Sequence, residues 1–351
     1  MGRKRHGRGG ARVAAAAEAR DAVLGSRIHE GLVGARALVG TPYLANPGLR
    51  AEYERDIAPR TVAALAKVLG ELFPRQGEAS RPPGRILDLG AGTGAASAAL
   101  RAHFGPGPTI VEVDRVATRP GVRVADVSDP DALVLGGPPF DVVVAAHVLN
   151  ELFVSEPSDR RIDRLSRLVR RWSQRLMADG GTLILLEPAL RETSRVLLAV
   201  RDQILAAGLH VVAPCFFTGP CPALAQERDW CHDNASAGPG GRRVDFSYLV
   251  IRTTGEATAD PTLFRVVSDP LPEKGRLRLY VCGAPGRQPL VRLDRHHSAA
   301  NADLDRLARG DTAHISGTTP ATDGLRLDAA STVTFHRLPI DRSQTSFWPR
   351  R

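Results

Sequence analysis

The segment RILDLGAGTG, Arg85 to Gly94, constrains this chain more than any other. An apolar run ending in Asp88, then Gly90, Gly92 and Gly94, predicts a strand that turns sharply into a helix of small residues beginning AASAAL. Glycines at alternate positions let the backbone pass close to a bound molecule at the carboxyl edge of a sheet, where side chains would block the approach. A glycine triplet alone is a weak signal, shared with dinucleotide-binding enzymes and ordinary tight turns. The dinucleotide pattern GxGxxG wants a further glycine, however, where this chain continues GTGAAS.

Beyond the loop, apolar runs alternate with helical spacing: TIVEV, VRVAD, FDVVVAA, a helix around Leu165 to Leu176, TLILLE, a helix near Val196 to Leu205, and LHVVAP. Such alternation predicts a parallel sheet covered by helices on both faces. DFSYLVIRTT follows where class I methyltransferases carry a last, antiparallel strand. The expected fold class is therefore α/β, and it resembles the class I methyltransferase (Rossmann-like) sheet over residues 81–256. Helical spacing through Val62, Leu65, Val68, Leu69 and Leu72 predicts an N-terminal helical region over 21–80. Short runs such as LFRVV, RLRLYVC, LVRLD, AHISG and TVTFHRL predict a small β-rich appendage over 257–345. Residues 1–20 are basic and patternless and read as a flexible tail.

Three further strand ends strengthen the nucleotide reading. Glu112 ends VEV, where a carboxylate accepts hydrogen bonds from both ribose hydroxyls of an adenosine, with Asp114 as the fallback. Asp126 ends VRVAD, placed to take an adenine amino group, and FDVVVAAHVLNEL delivers Asn150 and Glu151 to the same edge. With the glycine loop, these residues resemble the S-adenosylmethionine site of class I methyltransferases. Taken singly, each is equally a helix cap or a solvated strand end.

The four cysteines, Cys215, Cys221, Cys231 and Cys282, come with no export signal and no apolar run long enough to span a membrane, which argues against disulfides and for a cytoplasmic protein. Three of them share a loop over 213–235, and the fourth ends a strand of the appendage. Their spacing does not match the paired CxxC units of zinc ribbons, yet four thiolates can close around zinc or a [4Fe–4S] cube. Scattered core thiols are the plain alternative. A nucleophilic role, suggested by Pro214-Cys215 and Pro220-Cys221, is opposed by the absence of any cysteine at the end of the fourth strand, His147 to Glu151.

Taken together, EYERDIAPRT, DLGAGTG, VVAAHVLNEL, LLEPALRETSR, VVAPC, GPC, WCHD, FSYLVI, KGRLRLYVCG and LARGD resemble the methyltransferase-like family of the mitochondrial small ribosomal subunit and its bacterial relatives, over roughly residues 50–315. The resemblance implies a protein acting on the small ribosomal subunit or its rRNA, with a [4Fe–4S] cluster on the four matching cysteines. The chain departs from the family where only about a dozen residues separate Glu112 from Asp126, leaving little room for a helix, and where Glu187-Pro188-Ala189 replaces EPG.

A net charge of +9 and a pI near 10.1 suit an acidic partner such as RNA, although nearly all the positive charge is arginine, which a GC-rich genome also produces. Arg164, Arg167, Arg171 and Arg175 fall on one helical face, and Arg276 and Arg278 lie in a β-hairpin with aromatic neighbours. Each is equally a solvated outer surface. Two functions follow: methyl transfer to RNA or protein of the small subunit, or a monomeric assembly factor that keeps the fold to bind RNA without transfer.

Overall fold

In the computed structural model, which describes residues 26–73, 82–238, 240–254, 260–322 and 324–336, period-two alternation divides the central strands between two cores. Leu87, Leu89, Val143, Ala145, Leu183, Leu185, Leu249 and Ile251 pack with Leu165, Val169, Trp172 and Leu197. Ile86, Val142, Val144, Ile184, Leu186, Tyr248 and Val250 pack on the other side with Leu65, Val68, Leu69, Ala96 and Leu100. Strands apolar on both faces need helices on both faces, and they have them. The tail expected over 1–20 lies outside the described residues, as does the end of the appendage beyond residue 336.

The strands of this sheet are β1 (Arg85–Leu89), β2 (Thr109–Asp114), β3 (Arg123–Val124), β4 (Phe140–Ala146), β5 (Met177–Pro188), β6 (His210–Ala213), β7 (Asp233–Ala237) and β8 (Arg242–Arg252). Their order is β3-β2-β1-β4-β5-β8-β6, with β7 beside β8. Strands β1 to β5 pair in parallel, and β8 runs antiparallel between β5 and β6. That is the class I methyltransferase order, with DFSYLVIRTT as its antiparallel strand. The order reverses between β1 and β4, and a sheet of this kind binds ligands outside the carboxyl ends of its strands at that point.

The helices are α1 (Arg27–Leu32), α2 (Pro47–Asp56), α3 (Ala58–Leu72), α4 (Ala95–Phe104), α5 (Ser158–Leu176) and α6 (Arg191–Ala206). Asn46 caps α2 by accepting from the backbone of Gly48 and Leu49, with Pro47 pre-set for the first turn. On α5 the apolar stripe Leu165, Leu168, Val169, Trp172 and Leu176 is buried, and the Trp172 indole donates to the Val127 carbonyl at 2.9 Å.

Three details correct the sequence reading. The third strand stops at Val124, so Asp126 lies beyond it, because Asp126 and Asp129 turn their carboxylates onto backbone N–H groups of Ser128, Asp131 and Ala132 and bend the chain away. Strand β2 runs on past Glu112 to Asp114. The cysteine loop closes at Asp233 rather than residue 235, since DNASA, poor in strand formers, is held as β7 by its hairpin with β8. Residues 115–139 contain no helix, as the short spacing between Glu112 and Asp126 implied.

A second sheet is built from β9 (Leu263–Val266), β10 (Leu271–Glu273), β11 (Arg276–Gly283), β12 (Gly286–Leu293), β13 (Thr312–Ser316), β14 (Thr319–Ala321), β15 (Gly324–Leu327) and β16 (Thr332–Phe335). Phe264, Val266, Leu279, Val281, Leu290 and Ile315 form its core. Buried Arg265 of β9 joins it to the first sheet, donating to Glu71 Oε2 of α3 at 3.1 Å and to the Pro214 carbonyl at 3.1 Å. The Tyr248 hydroxyl of β8 donates to the same Glu71 oxygen at 2.9 Å. Among the described residues no helix is long and apolar enough to cross a membrane.

Candidate functional site

The glycine loop is held from below by two buried acids. Asp88 is fully buried, and its Oδ2 accepts from the Ser97 backbone at 3.0 Å and the Ser97 hydroxyl at 2.7 Å, which ties β1 to the first turn of α4. Burial pushes the Asp88 carboxyl up to about 6, against the pull of Ser97. Asp114 accepts from the Gly92 backbone at 2.8 Å and from Val116 at 2.9 Å, so this carboxylate fixes the loop. Gly90, at φ +72, faces Val148, whose methyl would lie 2.5 Å from an added β-carbon, so a side chain is excluded by space as well as by conformation.

Asp88 and Glu112 sit in register on neighbouring strands. Glu112 is buried and paired, its Oε1 lying 3.2 Å from Arg101 Nη1 and 2.7 Å from Arg119 Nη2. Burial opposes its ionisation, but Ser97 and the two guanidinium groups outweigh that and hold the carboxyl below its usual range. Asn150 is also buried: its side-chain amide donates to the His147 carbonyl at 2.8 Å, and its backbone donates to Glu187 Oε2 at 3.2 Å. Glu187 is the acid of the Glu187-Pro188-Ala189 stretch; it braces the turn after β4 and is pushed up to about 8 by burial. Asp126 is exposed.

The N-terminal region closes over this edge. Leu44 packs against Gly92, and the Tyr43 hydroxyl donates to Glu151 Oε1 at 2.9 Å. Arg115 reaches the other oxygen of Glu151 at 3.3 Å and donates to the Gly40 carbonyl at 3.0 Å. Burial pushes Glu151 up to about 7. Tyr43, Leu44, Arg115 and Arg119 were not legible as site residues, because they come from segments without a motif.

All four cysteines line one cavity of about 40 Å³, several times the roughly 10–15 Å³ that one water needs. Leu198, Phe217, Ala223 and Val267 give it apolar walls; Arg201, Arg265 and Arg287 supply positive charge. Burial and then the neighbouring thiols push Cys221 up to about 11 and Cys231 up to about 12, and raise Cys282 in the same way. Among the described residues no three His, Cys, Asp or Glu side chains converge closely enough to hold a single ion. Helix α6 builds the loop that carries three of the thiols. Arg195 donates to the carbonyls of Ala223, Gln226 and Asp229 at 3.1, 2.7 and 2.7 Å, Arg201 to that of Gly219 at 2.6 Å, and Asp202 accepts from the Cys221 backbone at 2.9 Å. Arg195 was visible in RETSR, but nothing local said what it holds.

The basic faces are partly neutralised. Arg164 pairs with Glu156 and lies over the Phe153 ring, Arg171 and Arg175 pair with Asp131, and Arg276 and Arg278 both pair with Glu273.

Among solved structures, the chain resembles an O-methyltransferase family protein from Burkholderia thailandensis, at 15% identity over 70% of this chain and 71% of that one, with a TM-score of 0.37. It also resembles TrmN from Thermus thermophilus, at 18% identity and a TM-score of 0.32 over 56% of this chain, which spans about half (52%) of that protein. A SAM-dependent methyltransferase from Aquifex aeolicus is similar at 16% identity over 57% of this chain and 97% of that one, with a TM-score of 0.33. No curated protein matches the sequence. A family match runs from residue 51 to residue 300, most of the chain, and takes in the glycine loop and all four cysteines. On that match the chain belongs to the family described as mitochondrial small ribosomal subunit Rsm22.

Proposed function

We propose that this chain is an S-adenosylmethionine-binding, methyltransferase-like protein that acts on the small ribosomal subunit or its rRNA. The reading rests on one conjunction: a member of this family carries the glycine loop at the point where the strand order reverses. In this reading Gly90, Gly92 and Gly94 let the backbone approach the ligand, and Asp88 fixes the loop through Ser97. Glu112 accepts the ribose hydroxyls, Asp126 takes the adenine amino group, and Asn150 borders the methyl. Displacement at the sulfonium carbon needs mainly alignment of donor and acceptor. Glu151, poised near neutral pH, is available where the acceptor must first lose a proton.

Isolated small subunits incubated with tritiated S-adenosylmethionine test this. Label in RNA or protein, lost in a folded Asp88→Ala variant, supports the enzyme. Firm subunit binding without label supports the second reading, a binding factor, which the engagement of Glu112 with Arg101 and Arg119 favours.

Cys215, Cys221, Cys231 and Cys282 fit a [4Fe–4S] cluster. Four thiols and three arginines on one cavity suit an anionic thiolate cluster, whereas a zinc ion would need its sulfurs roughly 3.8 Å apart, given zinc–sulfur bonds of about 2.3 Å. A bound cluster supplies a cross-link or a one-electron couple. The chain's part is to hold the thiolates, offset their charge and exclude water. Iron, sulfide and zinc analysis of anaerobically purified protein decides: about four irons per chain, lost on Cys→Ser change, supports the cluster, and one zinc removes it.

A further inference from the structure

We propose that Arg119 is a gate on the nucleotide site, its guanidinium standing where an adenosyl ligand would lie and swinging aside for that ligand to bind. The inference rests on reading Asp88 to Gly94 as an adenosyl site. In a sheet of this type the cleft has two walls, the glycine turn after the first strand and the acid on the second. Arg119 bridges both. Its guanidinium occupies the space a β-carbon on Gly94 would need, its nearest atoms 2.3–2.5 Å from that position, and its Nη2 is 2.7 Å from Glu112 Oε1.

The way Arg119 is held suits a movable part. Nη1 has no hydrogen-bond acceptor and Nη2 has only the Glu112 ion pair, although both are shielded from water, so charge and packing keep the group in place. It belongs to the segment 115–122, which is neither helix nor strand. That segment is anchored one residue earlier, where the Thr118 hydroxyl donates to the Gly92 carbonyl and Arg50 donates to the Thr118 carbonyl at 3.4 Å. The anchor leaves the backbone fixed while the side chain swings. Arg101, reaching Glu112 from α4 and more than half exposed, stays behind, so the acid is never left buried without a cation. A site closed for part of the time binds more weakly in proportion to the open fraction.

Calorimetric titration of the full chain with S-adenosylhomocysteine tests the gate in wild type, R119A, R119Q and R101A, each first checked for folding by circular dichroism. R119A and R119Q should bind on the order of tenfold tighter, about 1.4 kcal/mol, whereas R101A, which leaves Glu112 without a cation once Arg119 swings out, should bind more weakly than wild type. If wild type binds and both Arg119 variants bind equally or more weakly, Arg119 is a bystander or a ligand contact, and the gate is overturned while the adenosyl reading stands. If none of the folded proteins binds, the adenosyl reading falls and takes the gate with it.

Discussion

Gly94 stands at the N-cap of α4 at φ +89, with the Arg119 guanidinium in the space a β-carbon there would take. Gly94→Ala places a methyl both in the left-handed region and on occupied space. It should cost about 1–2 kcal/mol, read as a lower urea midpoint, and abolish binding of S-adenosylhomocysteine. Glu151 carries a pH signature. Its folded value of about 7 lies above the ordinary 4.5, so between those values the folded protein keeps a proton that the unfolded chain has lost. Stability must therefore fall as pH rises through that window. Urea titrations of wild type and Glu151→Gln between pH 4.5 and 8 should diverge with that sign, and parallel curves would mean that Glu151 is ionised throughout. Asp88 and the glycines were legible because a tight turn demands them in one contiguous stretch. Arg119 was not, since its place is set by Gly94 and Glu112, each distant in sequence and neither one marking it.

Among the elements, α6 does more than cover the sheet. Arg195 near its first turn and Arg201 near its last hold carbonyls along the cysteine loop, while Asp202 takes the Cys221 N–H. Arg195→Ala should destabilise the protein by about 1.5–3 kcal/mol. Amide exchange should quicken over residues 219–231 and stay unchanged over β1 and β4; uniform exchange would show that the loop stands without it. The sheet was readable because each strand carries its own period-two or fully apolar pattern, and the antiparallel place of β8 followed from the resemblance to class I methyltransferases. Strand β7 was hidden: DNASA has neither pattern nor propensity and becomes a strand only by pairing with β8. The cover of the glycine loop by Tyr43 and Leu44 was hidden for the same reason, because it exists only through tertiary contact.

Across the whole molecule, Glu71 is where α3, the first sheet and the second sheet meet, through Arg265 and Tyr248. Glu71→Ala strands a buried guanidinium and should cost about 3–5 kcal/mol. Tyr248→Phe removes one neutral donor and should cost about 1 kcal/mol. Urea midpoints in the reverse order would move the junction elsewhere. The topology also sets an order of assembly. Strand β6 is synthesised before β8, yet β8 is its sole neighbour in the sheet among the described residues, and β8 must first add to β5. Until then, the loop bearing Cys215, Cys221 and Cys231 hangs from a strand with nothing to pair against, and Cys282 is still to come. As a chain leaves the ribosome its amino-terminal parts fold first, so the cysteine cavity cannot close until Cys282 and Arg287 of the second sheet have been made, and a closed cavity marks a chain whose synthesis has passed the first sheet and reached β12.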